Sequence, residues 1–120
     1  MAKNRKFPKG NQLSLVCTDP ATPAPGDPVL FGQVPGVALT AEGASIAGET
    51  TVQTDGVFDL SVKGIDNVGN AAIAAGDIIY YDTATTPKLS ADAVGTVRFG
   101  YALAAVTSGA TATIPVKVGY

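Results

Sequence analysis

Ten carboxylates, one thiol and no imidazole are the groups with which this chain would begin acid–base or nucleophilic chemistry. Without histidine, neither a Ser-His-Asp relay nor a His-ligated zinc site is available. Asp55 and Asp59 are the nearest carboxylate pair in a strand, but four residues of extended chain span about 13 Å. That exceeds the roughly 5 to 9.5 Å across which paired carboxylates hydrolyse glycosides. Asp27 and Asp77 recur in the "GD" of "APGDPVLFG" and "AAGDIIYYD". Each stands between a turn glycine and a strand, where an aspartate accepts bonds from nearby backbone amides, so a structural role is expected. Cys17 alternates with Leu13 and Leu15 in "NQLSLVCT" and should pack as a small apolar side chain, with no base marked to activate it. No GxGxxG or P-loop pattern precedes a helix. The sequence thus points away from an enzyme and calls for no cofactor or metal.

The basic residues are distributed more tellingly. Lys3, Arg5, Lys6 and Lys9 crowd into "MAKNRKFPKG" and make up four of the eight in the chain. From Gly10 onward the formal charge is 4 − 10 = −6. Clustered cations suit phosphates, so a small nucleic-acid-binding β-barrel using its arm is one expectation. A body of that negative charge repels a polyanion, and terminal charge blocks are usually disordered interaction tails. Phe99 and Tyr101, which a single-strand binder would use for stacking, share an alternating face that reads as core.

At 120 residues the chain fits a single domain with a real core. Charged residues reach only 15%, against roughly 25% in ordinary soluble domains, so part of the surface is expected to be covered by other subunits. The uncharged run "FGYALAAVTSGATATIPV" has the length of a membrane span, but its Ser, Thr, Gly and Pro content argues against one. The start lacks the apolar core of a secretory signal, which gives a protein made in the cytoplasm as the expectation.

Period-two alternation dominates and no window forms an amphipathic helix, which predicts an all-β fold. The strands expected are residues 12 to 18, "VLFGQV", "GVALTA", "TTVQTDGVFDLSV", "DIIYY", "TVRFGYALAA" and "TATIPVKV". "TDPATPAPGDP" makes a stiff loop, and "GIDNVGNAAIAAG" leaves room for one helical turn. Phe58, Leu60 and Val62 should face inward, as should Val97, Phe99, Tyr101 and Leu103, and Ala112, Ile114, Val116 and Val118. One of Tyr80 and Tyr81 belongs to the core and the other to the surface. Pro115 points outward, which suggests an edge strand or a bulge. A weak repeat underlies the order: "APGDPVLFG" matches "AAGDIIYYD" and "PGVALTA" matches "FGYALAA". Two similar β-units packed as a small β-barrel or β-sandwich would bury these faces and limit free edges. Residues 1–11 then form a flexible basic arm and residues 12–120 a single domain.

The runs "GDPVLFGQVPGVALTAE", "TTVQTDGVFDLSV", "AAIAAGDIIYYDTAT" and "VGTVRFGYALAAVTSGATATIPVKV", in that order and spacing, resemble the small tailed-phage capsid decoration, or capsid cement, proteins over about residues 10 to 118. "DPATPAPGDP" and "KGIDNVGNAA" look longer than that pattern. The resemblance implies a non-enzymatic virion protein on the outer surface of the head, made in the host cytoplasm. It also implies self-association, often as a homotrimer, and bridging of major capsid protein subunits. On that reading the arm is a capsid contact: Lys3, Arg5, Lys6 and Lys9 meet acidic groups and Phe7 anchors in an apolar pocket. Neither nucleic acid nor membrane is a partner in this picture.

Overall fold

Glycine and proline cut the chain into short strands, and no helix occurs among the described residues. The structure, a computed structural model, describes residues 12–20, 22–41 and 48–119, so the expected arm over residues 1–11 lies outside the described residues. The strands are β1 (Gln12–Leu15), β2 (Pro28–Phe31), β3 (Val34–Ala38), β4 (Thr50–Gln53), β5 (Val57–Lys63), β6 (Ile78–Tyr81), β7 (Leu89–Ser90), β8 (Val97–Ala102) and β9 (Thr111–Val118). The first four form a sheet in the order β1-β4-β3-β2, and the remaining five close a barrel in the order β5-β7-β6-β8-β9. The all-β expectation therefore holds, with one repeat unit forming an open sheet and the other a barrel.

The repeat extends to individual hydrogen bonds. Ala24-Pro25-Gly26-Asp27 and Ala74-Ala75-Gly76-Asp77 are the same turn, with φ of 89° at Gly26 and 95° at Gly76, values that favour glycine. The Asp27 Oδ2 accepts from the Ala24 amide at 2.9 Å, and Asp77 Oδ2 from the Ala74 amide at 2.9 Å. Both aspartates are thus the turn fasteners expected from sequence. Gly26 donates to the Ala38 carbonyl as Gly76 does to that of Ala102. The offset is 77 − 27 = 50 residues at the turn and 102 − 38 = 64 at the far strand. Of the 14 added residues, 15 − 2 = 13 come from the connection, since residues 82–96 replace the Gly32-Gln33 hairpin turn. The last is a bulge where β6 pairs with β8, whose register shifts between Ile79 and Tyr80.

That bulge corrects the reading of β8. Val97 pairs with Tyr81 and Phe99 is fully buried, but beyond Phe99 the inward positions become Gly100 and Ala102, opposite Val118 and Val116. Tyr101 and Leu103 are turned outward, because one extra residue reverses the alternation of all that follow. The other alternations hold: Leu60, Val62, Ile114, Val116 and Val118 are buried and Phe58 and Ala112 pack against them. Tyr81 is the core tyrosine. The "VLFGQV" run is a hairpin rather than one strand, and "GIDNVGNAAIAAG" makes two isolated bridges, Ile65 with Asn70 and Ile73 with Val106, instead of a helical turn.

Pro115 lies within the closed barrel rather than on an edge. Its carbonyl accepts from Leu103, which directs the missing N–H toward β8 just where that ladder ends. The equivalent Thr51 amide donates to the Thr40 hydroxyl instead of a β3 carbonyl, so in neither unit does this position give an N–H ladder bond to that neighbouring strand.

Val29, Ala38 and Val52 form one small core with Leu15 and Cys17, and their counterparts Ile79, Ala102 and Val116 belong to the larger barrel core. Each fully buried aliphatic side chain contributes about 1.5–3 kcal/mol. Leu30 and Val37 point from the sheet's other face and join the barrel's cluster, which fuses the two units.

Gly36 and Gly100 serve as equivalent close approaches. A Cβ on Gly36 would stand 2.3 Å from Val52 Cγ1, and one on Gly100 2.0 Å from the Lys117 carbonyl oxygen. Gly100→Ala is expected to lower the unfolding free energy in urea by about 3 kcal/mol, the upper range for an overpacked core. Gly32→Ala, strained in backbone but with open space around it, should lose only about 1 kcal/mol.

Candidate functional site

The two units are joined by a polar clamp. Asp19 follows β1 and exchanges backbone bonds with Leu30 of β2, partly closing the gap between the sheet's outer strands. That pairing sets the Asp19 carboxylate against the barrel, where its Oδ2 accepts from the Tyr81 hydroxyl and the Lys88 ammonium, each at 2.5 Å. Tyr81 also reaches the Pro28 carbonyl at 3.4 Å and stacks on Phe99 with ring centroids 6.2 Å apart. Burial, then the hydrogen bond to Asp19, pushes the Tyr81 hydroxyl well above its ordinary pKa, so it stays a donor. Burial opposes ionisation of Asp19, but the bonds from Lys88 and Tyr81 and the Lys88 charge outweigh it and hold the carboxyl below its usual value.

The barrel's outer surface carries a group of outward apolar side chains. Register places Val57, Lys117, Tyr101 and Ile78 in one row across β5, β9, β8 and β6. Asp59, Pro115 and Leu103 lie in the next, and Tyr80 faces out beside Arg98. Val57 and Leu103 are exposed, and Tyr101 and Tyr80 half-buried. The Arg98 guanidinium covers the Tyr101 ring at 5.2 Å and donates to its hydroxyl, and the Lys117 ammonium stands 5.8 Å from the same ring. Aromatic and aliphatic groups on this face are thus interspersed with Lys117, Arg98 and Asp59, and tyrosine and arginine are residue types enriched at protein contacts.

The residues considered for chemistry are scattered. Asp55 sits in the turn before β5, beside the Gln53 side chain, and Asp59 points out from β5. Cys17 packs against the smaller core, where burial raises its pKa. No group of three or more His, Cys, Asp or Glu side chains is arranged for a metal, and no enclosed pocket is found, among the described residues. Lys3, Arg5, Lys6, Phe7 and Lys9 lie outside the described residues. Sequence reasoning missed Tyr101 and Leu103 as surface groups, because a bulge leaves no mark in the alternation. It also missed Val68 and Val94, exposed in two turns whose shared D-x-V-G sequence was there to be read.

The structure is thus a closed barrel joined to a smaller repeat of itself, with Val57, Tyr101 and Leu103 on the barrel's outer face. The family model for phage cement proteins matches residues 7–118, and the chain belongs to that family. No curated protein and no solved structure matches it. Membership gives the chain a capsid-associated structural role as a component of the phage virion.

The clamp generates a pH dependence with a definite sign. Because the Asp19 pKa is depressed on folding, its stabilising contribution is complete above the unfolded value of about 3.9 and is lost as pH falls through the folded one. Urea melts of the wild type and of Asp19→Asn should therefore differ most near neutrality and converge in acid. Tyr81→Phe, which keeps the ring but removes the donor, should lose about 2 kcal/mol at neutral pH.

Proposed function

We propose that the protein decorates the outer surface of a phage head and stabilises the shell by bridging neighbouring major capsid protein subunits, without enzymatic activity. It is made in the host cytoplasm and added to the head as a homotrimer. The observation that carries this reading is the cement-family match, which spans both β-units and extends into the arm as far as Phe7.

The physical features fit the task. A bridging domain has to be stiff, and two units fused through Leu30, Val37 and the Asp19 clamp resist hinge motion. Its contacts are individually weak and repeated over a lattice, so avidity supplies the strength. The outer face containing Val57, Tyr101 and Leu103 provides one contact surface. The arm provides another: Lys3, Arg5, Lys6 and Lys9 carry a charge complementary to acidic protein surfaces, and Phe7 supplies an apolar anchor. A protein target for the arm is favoured over nucleic acid because basic side chains of the body are engaged internally, Lys88 with Asp19 and both Arg98 and Lys117 with Tyr101.

Cosedimentation with undecorated heads tests the reading. The intact chain should pellet with the shells. Removing residues 1–9, or introducing Val57→Asp with Leu103→Asp, should weaken binding about tenfold or more, with the thermal transition retained. An intact chain that stays in the supernatant at every concentration would refute decoration.

A further inference from the structure

Two neighbouring turns repeat one design. Asp66-Asn67-Val68-Gly69 and Asp92-Ala93-Val94-Gly95 share the sequence D-x-V-G. In each, the aspartate Oδ1 accepts from the valine amide at 2.9 Å, fixing the backbone that carries the valine. The first turn adds a bond from the Gly69 amide to Asp66 Oδ1 at 3.1 Å, and the second a bond from the Asp92 amide to Ser90 Oγ at 3.2 Å. The Ala93 amide donates to Asn67 Oδ1 at 2.7 Å, which ties one turn to the other through the residues next to the two valines.

What these turns present is unusual for turns. Val68 is 96% exposed and Val94 66%. A lone exposed valine calls for no explanation, but the same apolar residue at the same position of two tethered, rigid turns makes a preformed contact. Docking onto it requires little further ordering. The only charges within the turns are those of Asp66 and Asp92. Bonds from the Val68 and Gly69 amides hold the Asp66 carboxyl below its ordinary pKa, so the site stays anionic. Its complement is an apolar side chain set among cations.

The chain contains such a segment. Phe7 is flanked by Lys6 and Lys9, with Lys3 and Arg5 close behind and no acid among the first ten residues. Reach bears on whose arm it is. Gln12 pairs with Gln53, whose side chain lies against Gly56, at the start of β5. β5 then runs about 20 Å before the chain continues to Asp66, whereas the five residues from Phe7 to Gln12 span at most about 17 Å. An arm of the same chain would meet the turns only if drawn out straight along β5, whereas the arm of a second copy is under no such constraint.

We propose that the paired D-x-V-G turns are the docking site for the N-terminal arm of a second copy, with Phe7 seated against Val68 and Val94 and the arm's cations facing Asp66 and Asp92. The inference rests on the reading of the arm as a protein-docking element and names its partner. Arms exchanged in this way link copies directly, adding a decoration-to-decoration tie to the contacts each copy makes with the shell.

Intermolecular paramagnetic broadening in the full chain tests it. One preparation carries a nitroxide on Ala2→Cys in a Cys17→Ala background, and it is mixed with an isotope-labelled wild-type preparation. Amides of residues 66–69 and 92–95 in the labelled copy should broaden, and added salt should reduce the effect because the charges are exposed. Val68→Ser with Val94→Ser in the labelled copy should abolish the broadening while leaving its thermal transition in place. Broadening elsewhere, its survival in the double variant, or its absence up to the solubility limit would overturn the proposal. Loss of shell binding with the broadening intact would instead count against decoration, so the two readings fail separately.

Discussion

The fold depends on closing a hydrogen-bond ladder. Two residues, Leu89 and Ser90, pair in parallel with the end of β5 and antiparallel with the end of β6, joining the strands that would otherwise be the barrel's two edges. The equivalent sheet in the first unit has only the Gly32-Gln33 turn at that point and stays open. Phe31 and Tyr81 measure the difference. They occupy the same repeat position, yet Phe31 is 45% exposed and Tyr81 0%. Closure turns a surface aromatic into the centre of a core.

Burying a tyrosine creates a demand for its hydroxyl, since an unpaired polar group in a core costs about 1–3 kcal/mol. The demand is met from the other unit, by Asp19 and the Pro28 carbonyl. Asp19 is available because the open sheet lacks a closing strand, and the chain after β1 fills part of that gap by bonding Leu30. The closed unit and the open unit are therefore complementary: the donor that one cannot satisfy meets an acceptor that the other holds at its boundary. Lys88, on the connection that also supplies β7, completes the clamp.

Internal satisfaction of this kind shapes the exterior. Cations that serve Asp19 or stack on Tyr101 leave the body without a basic stripe, and the unbalanced positive charge is concentrated in the first ten residues. The outer apolar rows of the barrel and the valine-tipped turns are held by backbone ladders and side-chain caps, so they keep their shape without a partner. A capsid-associated structural role is served by such preformed contacts, because little conformational entropy remains to be lost on docking.

Much of this was legible in the sequence. Alternation identified the inward faces of β5 and β9, the repeated "GD" identified both turns and the role of their aspartates, and the order of the short motifs identified the family. These features are local, and local backbone chemistry is written residue by residue. What the linear pattern lacked was anything set by pairing across the chain. A one-residue bulge opposite β6 reversed Tyr101 and Leu103 from core to surface, and nothing in "TVRFGYALAA" marks where its partner slips. The closure by Leu89 and Ser90, the choice of Tyr81 over Phe31 for the interior, and the meeting of Asp19 with a hydroxyl 62 residues away are likewise decided by which strands become neighbours. The sequence by itself determined the all-β class, the inward faces of β5 and β9 and the charge of the first ten residues. Only the tertiary structure determined which faces were covered, because burial depends on what another part of the chain brings against them.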